Sequence, residues 1–546
     1  MEMNLMQMSQ SDLFRDVMMH QEEMEAERAL EEPNWRDLAQ LFAPEQLGEL
    51  SGSGRSRPED FAEIVDATQL HAVEALSSGI FTDLTNPTNP WAAFTIEDQD
   101  LARFYPCKLW LEQVSAIVTG TLSPTRSKFY AQAPAWFADM AVFGFGTLAT
   151  FERRDMRGFT DRVIPLHEMF LAHDHDDDLV RVHRRYVMTG RKARAAFPEL
   201  SEKLDPKAKV TIIHAVFLNP RQMPGKPGSL GARWLSVYLC KEDKEFCRKG
   251  FFYDLPYHVL EWSRRASRSY ATGPASRARA DVASLQVMEE AHMTAANFAA
   301  RPPILSASEE LIAATDVMPG QWVSGAVSEG GKQLVQPLNL GGDIRLSAEM
   351  SKQKREHIRE AFYFSAMMLV NRPQMTATEV LGYQEERMRA MAPNLTRIQV
   401  SGLSPLLFRR FEALARAGAI PEPPPELEGQ ALAMDYLSPM ARIQKATRGR
   451  AVLNTFGAAV QLAQGGKPEV LDKIDGDATL DILHDSFGAE AAMLLPPAMV
   501  QQIRQARQQA QNQAAELEQT GQAVAIAAEA SHAQQASTLA SARGGA

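Results

Sequence analysis

The chain has 546 residues, a formal net charge of −11, 45% hydrophobic residues and 8% aromatic residues. This length exceeds a single compact core, so two to four structural regions are expected, and the apolar content excludes global disorder. No apolar run reaches the roughly 18 residues of a membrane span, and the N-terminus lacks the pattern of a secretory signal, so we expect synthesis in the cytoplasm.

The first part of the chain is predicted to be helical. Residues 1–50 carry a glutamate-rich solvated face, and Pro33 is expected to interrupt the helix. The Gly/Ser/Arg-rich stretch 51–58 predicts a loop. Apolar residues then recur at helical spacing in two segments, Phe61–Ile80 and Leu101–Leu122.

The middle of the chain changes period and predicts an antiparallel sheet of hairpins. Its segments are short, rich in β-branched or aromatic residues, and bounded by Gly, Pro, Asn or Asp. The predicted strands are Phe143–Arg153, Val163–Ala172, Asp178–Met188, Val210–Leu218, Trp234–Lys241 and Phe251–Trp262.

Two helices bracketing a Gly-rich excursion follow the predicted sheet. Helical spacing returns from Asp281 to Ala300 and again from Leu346 to Val370. The β-biased stretch between them, Ile304–Ile344, contains six glycines, which favour turns. The sequence by itself therefore predicts a helix, a β-biased loop and a second helix.

The C-terminal region, from about Ala431, is predicted to be helical with a break at Pro496-Pro497. The tract from Val500 to Ala536 is dominated by Gln and Ala, which form helix readily but bury little apolar surface. Such a helix is stable only when it packs against copies of itself or a partner. A frayed tail is expected from Ser537 to Ala546.

A search for catalytic or metal chemistry returns one weak cluster, the run His173–Asp178 with His167 nearby. Imidazoles and carboxylates suit a divalent metal, but adjacent residues point apart, so a polar hairpin turn is the simpler interpretation. The three cysteines have neither zinc-ligand nor disulfide spacing. We predict no metal, no cofactor and no enzymatic activity.

Nucleotide-dependent motors are also disfavoured by the sequence. Each Gly-Lys pair is followed by the wrong residue for a phosphate-binding loop, namely Gln333, Pro468 or Pro227. No nucleophile elbow and no zinc-protease pair of histidines is present. Any ATP-driven step must therefore come from another polypeptide.

Several short strings in collinear order carry a family resemblance over roughly residues 34–429. The segment Met375–Val380 follows a break at 371–374 and has capping-box spacing between Thr376 and Glu379. The other strings are Leu84–Pro87, Pro90-Trp91, Tyr270–Ala275, Leu285, Arg301–Pro303, Glu385–Arg387, Leu403–Leu406, Arg409–Phe411 and Ala417–Pro424. Together they resemble the portal, or head-to-tail connector, proteins of short-tailed, podovirus-type phages.

The resemblance implies a mainly helical α+β portal fold. It implies N-terminal helices and a β-rich wing, a stem helix, a β-containing clip, a second stem helix, a channel loop with a wing helix, and a helical crown or barrel with a disordered tail. The corresponding ranges are 1–280, 281–303, 304–345, 346–370, 371–430 and 431–546.

The resemblance also implies function and partners. The chain would form a closed ring of about twelve copies at one capsid vertex of the virion, through which double-stranded DNA is packaged and ejected. Expected partners are further copies of the chain, the major capsid and scaffolding proteins, the large terminase subunit, and tail adaptor or nozzle proteins. The alternatives are a ring adaptor that does not conduct DNA and a metal-dependent nucleic-acid enzyme.

Charge gives two groups of candidate residues within that frame. Twelve copies at −11 each give a total on the order of −130, which disfavours DNA adhering to a channel wall lined by acids, or simply keeps the protein soluble. Two basic clusters could touch DNA phosphates, but complementary subunit contacts are favoured. The interface candidates are Arg184, Arg185, Arg264, Arg265, Arg268, Asp176 and Asp177.

The second group comes from the resemblance alone. Portals of this kind place a loop that projects into the channel at the break 371–374, which makes Asn371, Arg372 and Gln374 the candidates that face DNA. Arg372 would supply one exposed positive charge per subunit, and exposed contacts of this kind are weak at physiological salt. A plain helix–turn–helix corner is the alternative.

Overall fold

The computed structural model of the chain describes residues 10–50, 64–88, 90–153, 158–198, 205–266, 268–300, 304–306, 327–328, 330–337, 344–364, 391–437, 439–489 and 493–543. The helices in these ranges include α1 (Gln10–Phe42), α2 (Pro44–Leu50), α3 (Thr68–Leu84), α4 (Gln99–Arg103), α5 (Tyr105–Gly120), α6 (Phe129–Phe143), α7 (Gly190–Ala196), α8 (Pro274–Ala300), α9 (Ile344–Ala361), α10 (Ser404–Arg416), α11 (Pro439–Gln464), α12 (Gly476–Phe487) and α13 (Pro497–Arg543). None of the helices so described is both long and apolar enough to cross a bilayer.

The strands are β1 (Ala92–Ile96), β2 (Phe145–Glu152), β3 (Phe159–Ile164), β4 (Met169–His173), β5 (Leu179–Thr189), β6 (Lys209–Leu218), β7 (Trp234–Cys240), β8 (Glu245–Phe252), β9 (Tyr257–Glu261), β10 (Ile304–Ser306), β11 (Val335–Pro337) and β12 (Leu432–Tyr436). The predicted fold class, α+β and mainly helical, is confirmed by these elements.

The chain divides into two compact units. The first comprises Met1–Ala92, Ala116–Ile420 and Tyr436–Ala441, and the second comprises Ala93–Ser115, Pro421–Asp435 and Arg442–Ala546. The first unit holds a five-stranded sheet in the order β4-β5-β6-β7-β8 and a three-stranded sheet in the order β3-β2-β9. Within both sheets, neighbouring strands run antiparallel.

The five-stranded sheet is built around β6, whose residues are apolar on both faces. One face packs against α1 through a buried cluster of Leu13, Val17, Ile213, Ala215, Phe217, Leu235, Val237 and Leu239. The opposite face packs against α7 through Ala193, Phe197, Val210, Ile212, Cys240 and Cys247. A strand covered on both faces reads as a continuous apolar run, which is why the pattern predicted it well.

The interruption predicted at Pro33 is wrong, because α1 continues through it. Proline removes one helical hydrogen bond and normally kinks or ends a helix. Here the helix is held on both sides of Pro33, since Met24 before it and Trp35 and Leu38 after it are all buried. Tertiary packing thus outweighs the local cost.

Two predicted strands are each two strands that belong to different sheets. The segment 163–172 is divided by Pro165 and a 3₁₀ turn at Leu166–Glu168, so that β3 lies in the small sheet and β4 in the large one. The segment 251–262 is likewise divided between β8 and β9 by a turn before Tyr257. The apolar pattern runs through both corners, so periodicity alone could not place them.

Helix α6 occupies a stretch to which the sequence analysis assigned no element. Its indole donor Trp136 Nε1 bonds the Gly146 carbonyl at 3.0 Å, which joins the helix to β2. The helix ends at Gly144, with φ of 91°, where a Cβ atom would lie 2.3 Å from the Ala271 carbonyl oxygen. Glycine is therefore required at this corner.

The helix predicted over 346–370 begins at Ile344 and ends at Ala361. Its end is set by a turn in which Tyr363 takes φ of 54°; residues 365–370 lie outside the described ranges. The helix predicted to begin at Asp281 begins earlier, at Pro274.

The C-terminal region is not entirely helical, because β12 pairs with β1. The predicted break at Pro496-Pro497 is present, and α13 starts on Pro497, a position where the missing N–H costs nothing. The helix continues to Arg543, through most of the tail that was predicted to fray.

Candidate functional site

The acidic run 174–178 forms the turn between β4 and β5, as the sequence analysis preferred. The Asp174 carboxylate accepts backbone N–H bonds from Asp176 at 3.0 Å and from Asp178 at 2.9 Å. Asp177 sits at φ of 66°, a conformation that Asp tolerates better than most residues. The aspartates at this position are therefore explained by the turn itself.

The same turn brings Asp174, His175 and Asp176 close enough to share a cation, with ligand atoms within 4.8 Å of one another. Asp174 already uses its carboxylate to close the turn, and the other two side chains are exposed. Acidic turns of this kind are common without an ion, so the cluster does not define a metal site.

Two of the predicted interface residues, Arg264 and Asp177, pair with each other inside one chain. Arg264 donates from Nη1 to the Asp177 carboxylate at 3.0 Å and from Nη2 to its carbonyl at 2.7 Å, while Nε reaches Glu261 at 3.0 Å. Burial alone would raise the pKa of Glu261, but His173 and Arg264 hold that pKa below its ordinary value. The three groups tie the turn to β9.

Arg184 and Arg185 also have partners in their own chain. Arg184 donates to Glu168 at 2.7 Å, and both side chains are 13% exposed. Burial alone would lower the pKa of Arg184, and the Glu168 carboxylate holds it above its usual range instead. Arg185 donates to Glu25 of α1 at 2.5 Å. The pairing of arginines with the N-terminal glutamates was predicted between subunits and here occurs within one.

The remaining interface candidates lie at the surface. Arg268 is more than half exposed and reaches Glu31 only at 3.9 Å. Arg265 is exposed and forms no ion pair with any residue that the structure describes. Asp176 contacts only its neighbour His175, at 3.2 Å. These three side chains remain available for a contact outside their own chain.

Sequence reasoning missed Arg28, which fastens α1 to the edge of the large sheet. Its Nη1 donates to the carbonyl oxygens of His167 at 2.8 Å and Met169 at 3.0 Å. The guanidinium carbon lies 4.4 Å from the centre of the Phe170 ring. Burial lowers the pKa of Arg28. Its position within a solvated-looking glutamate run gave no sequence signal of burial.

The adjacent arginines of α10 are fully buried. Arg410 donates from Nη2 to both carboxylate oxygens of Asp161 at 2.7 Å, and neither side chain is exposed. Arg409 donates to the backbone carbonyls of Thr150 at 3.1 Å and Asp254 at 2.6 Å. In the sequence these residues appeared only as one string of the family resemblance, with no role assigned. The structure makes them the attachment of α10 to β2, β3 and the β8–β9 corner.

A cleft of about 820 Å³ opens beside the acidic turn in the first unit. Its apolar lining includes Leu179, Trp234, Leu255, Val259, Pro393, Val400, Pro405 and Phe408. Its charged and polar lining includes His173, Asp177, Asp178, Arg233, Asp254, Tyr257, Glu261, Arg264, Thr396, Arg397 and Ser401. Such a mixture of apolar walls and a few polar groups is typical of binding clefts.

The predicted channel-loop residues Asn371, Arg372 and Gln374 lie outside the described residues. The described chain resumes at 391 with a helical segment that leads through a π-helical turn, Gln399–Leu403, into α10.

Comparison with known proteins gives a family match over most of the chain. A family model described as "Bacteriophage head to tail connecting protein" matches residues 15–494. The portal protein of Salmonella phage epsilon15 is 27% identical over 525 residues, covering 92% of this chain and 92% of that protein. A probable portal protein of Bordetella phage BPP-1 is 27% identical over 514 residues, covering 89% and 90%.

Solved structures with some likeness include two necks of gene transfer agent (GTA) particles. The neck of an empty particle matches with a TM-score of 0.37 and 13% identity, covering 72% of this chain and 86% of that chain. The neck of a native particle matches with a TM-score of 0.37 and 12% identity, covering 72% and 88%. These scores are low, and the fold described above rests on the chain's own elements.

The family match spans both compact units and all the interface candidates. Its members are structural proteins of the virion that work as a ring at the head-to-tail junction. The chain therefore belongs to the bacteriophage head to tail connecting protein family and has the portal function at the capsid vertex.

Proposed function

We propose that twelve copies of this chain form a closed portal ring whose channel conducts double-stranded DNA during packaging and ejection. Family membership over residues 15–494 is the observation that carries this proposal. A ring closes without a seam when the rotation between neighbours divides a full turn. Each copy then needs two different, complementary surfaces.

The second unit supports assembly through its exposed apolar side chains. Helix α13 is 47 residues long, and a bidentate pair between Arg504 and Asp477 fixes it to α12 near its start. Farther along, Leu517 is 74% exposed and Ile526 is 67% exposed. Large apolar side chains exposed along long helices indicate a surface that another chain covers. We assign residues 431–546 to a helical crown or barrel made by neighbouring copies.

The other regions keep the assignment made from the sequence. Residues 1–280 would form the N-terminal helices and wing, 281–303 and 346–370 the two stem helices, and 304–345 the clip. The clip would meet the terminase motor during packaging and tail adaptor or nozzle proteins afterwards, while the capsid and scaffolding proteins surround the ring. A separate motor is required because the sequence contains no phosphate-binding loop.

The segment 371–430 would contribute the channel loop and a wing helix. We propose that Arg372, with Asn371 and Gln374, faces DNA as one positive charge per subunit. Arg372→Ala should then leave ring assembly intact and change the length or retention of packaged DNA. Arg277→Ala, which removes an exposed charge from α8, is the matched control. Unchanged packaging by the Arg372 variant would remove this role.

Electron microscopy of the purified full-length chain tests the ring itself. Particles classified by rotational symmetry should give rings of about twelve with a central opening wider than duplex DNA, which needs roughly 20 Å plus clearance. A ring with a narrower opening would favour a non-conducting adaptor. Monomers at every salt concentration would contradict the proposal.

A further inference from the structure

The cleft beside the acidic turn contains two hydrogen-bond acceptors that the chain leaves unused. The His173 side chain is 7% exposed, and its Nε2 lies 3.6 Å from Glu261. With the ring proton on Nε2, directed at that carboxylate, Nδ1 is an acceptor, and it has no partner. Asp254 Oδ2 is also buried without a partner. Groups in this state are costly unless a donor arrives.

The charge of the cleft favours a cationic visitor. Its lining includes four carboxylates and three arginines, those at 177, 178, 254 and 261 and at 233, 264 and 397. Arg264 is fully engaged by Asp177 and Glu261. Asp178 is exposed and forms no ion pair with another described residue. The cleft therefore offers an unpaired carboxylate at its rim and unpartnered acceptors within it.

A loop of the same chain has the complementary character. Residues 220–232, between β6 and β7, carry Arg221 and Lys226 and no acidic residue. Neither cation forms an ion pair within the described part of the chain, and both are exposed. Met223 is 52% exposed and Leu230 is 48% exposed. This proline loop, as we call 220–232, thus presents two positive charges and two large apolar side chains to solvent.

The proline loop is held in one shape by its own hydrogen bonds. Asn219 donates to the Ser229 and Ala232 carbonyls at 3.0 and 2.9 Å, and the Tyr253 hydroxyl accepts from the Gly228 N–H at 3.1 Å. A Cβ atom on Gly231 would lie 1.6 Å from the Lys226 carbonyl oxygen, so only glycine fits there. A preorganised loop loses little entropy on docking, which favours its use as a binding element.

The cleft and the proline loop also lie at the same end of the five-stranded sheet. β5 begins at Leu179, directly after the acidic turn, and Arg181 pairs with Phe217 shortly before the proline loop. Rotation about a ring axis preserves both height and radius, so two surfaces can meet across a cyclic interface only when they share both. Two features at one end of one sheet are suited to this requirement, unlike features at opposite ends.

We propose that the proline loop of one copy docks in the cleft of the next copy around the ring. Arg221 or Lys226 would supply donors to the cleft's unpartnered acceptors and to Asp178, while Met223 and Leu230 would pack on its apolar wall. The proposal rests on the ring assembly proposed above. It gives that ring one of its two complementary surfaces.

Charge reversal in two separate variants tests the contact. Variant A carries Arg221→Glu and Lys226→Glu, and variant B carries Asp178→Lys. Each alone places like charges across the interface, so the concentration at which half of the chains are in rings should rise at least about tenfold. An equimolar mixture should assemble, because A's loop then meets B's cleft and B's loop meets A's.

The mixture distinguishes contact between chains from contact within one. If the loop and cleft attract each other inside a single chain, the triple variant with both changes assembles but the mixture of A and B does not, which would overturn the proposal. Normal assembly of A and B alone would overturn it as well. If wild-type protein forms no rings, the proposed function fails first, and the two failures are therefore distinguishable.

Two further measurements guard against misfolding. A matched control, Lys207→Glu with Lys209→Glu, reverses two exposed charges at the opposite end of the sheet and should assemble as wild type does. Cysteines at 178 and 226 allow cross-linking with a short bis-maleimide, since the three native cysteines are buried. Cross-linked wild-type-like rings should give a ladder of multimers; a product confined to monomers would contradict docking between copies.

Discussion

The ion pair between Arg410 and Asp161 offers a measurable test of how α10 is attached to the first unit. Both side chains are fully buried, and two 2.7 Å hydrogen bonds join Arg410 Nη2 to the carboxylate. Arg410 Nη1 also bonds Thr121, and the carboxylate accepts from Thr150 at 2.8 Å and from Ser127. Removing one partner therefore strands a charge among groups oriented to neutralise it.

We predict that Asp161→Asn lowers the free energy of unfolding of the first unit by about 3–5 kcal/mol. The substitution keeps the side-chain shape, so the loss comes from the uncompensated Arg410 charge and not from a cavity. Arg410→Met should cost a similar amount, since it leaves the carboxylate buried and unpaired. The double variant should lose much less than the sum, with a coupling energy of about 2–3 kcal/mol.

Urea unfolding of the four proteins of this double-mutant cycle, followed by circular dichroism, measures these quantities. Arg416→Met is the matched control on the same helix, because its ion pairs with Glu152 and Glu412 are long, at 3.9 and 3.6 Å, and its side chain is 32% exposed. That control should cost under about 1 kcal/mol. Additive single effects, or a cost for Asp161→Asn no greater than the control's, would refute the reasoning.

Three other predictions concern titration and packing. Three fully buried histidines have pKa values that burial holds well below the usual range; they are His183, His214 and His258. Because the unfolded chain binds their protons first, stability should fall as pH drops below about 6.5, with a slope approaching about 1.4 kcal/mol per pH unit for each histidine, and His258→Leu should remove one third of that slope in urea titrations between pH 4 and 8. Burial raises the pKa of Asp139 to about 7. Its contribution is therefore complete below about pH 4 and lost as pH rises through 7, so Asp139→Asn should stabilise the protein at pH 8 by on the order of 2–4 kcal/mol and have no such effect at pH 4. A Cβ atom on Gly402 would lie 2.3 Å from Leu260 Cδ2, so Gly402→Ala should cost about 1–3 kcal/mol in thermal unfolding, whereas Gly457→Ala, with open space around it, should cost nothing.

Periodicity predicted most of the strands because the large sheet is covered on both faces. Strand β6 was predicted at Val210–Leu218 and observed at Lys209–Leu218. The corners at Pro165 and before Tyr257 were missed for the same reason that β6 was found: a continuous apolar run carries no mark of the residue at which the chain leaves one sheet for another. Only the pairing of the strands shows that change.

The charged candidates were predicted by type but not by partner. The sequence indicated that arginines would meet the N-terminal glutamates and the acidic turn, and the structure pairs Arg185 with Glu25 and Arg264 with Asp177. A charge pattern contains no information on whether complementary groups meet within one chain or between copies. The interface candidates that remain exposed, Arg265, Arg268 and Asp176, follow from the structure alone.

The burial of Arg410 has a cause that periodic templates cannot detect. Before the π-helical turn, buried positions follow helical spacing through Met391, Leu395 and Ile398 to Gly402. After it, the buried stripe restarts one residue later, at Leu403, and continues through 406 and 407 to 410. A π-helical turn adds one residue to the helix and so advances the phase of every residue beyond it. Without that added residue the stripe from Gly402 would pass through 405, 406 and 409, and the bidentate attachment to Asp161 would fall to a different side chain. The arginine that fixes α10 is thus selected by a local irregularity of the helix that directly precedes it.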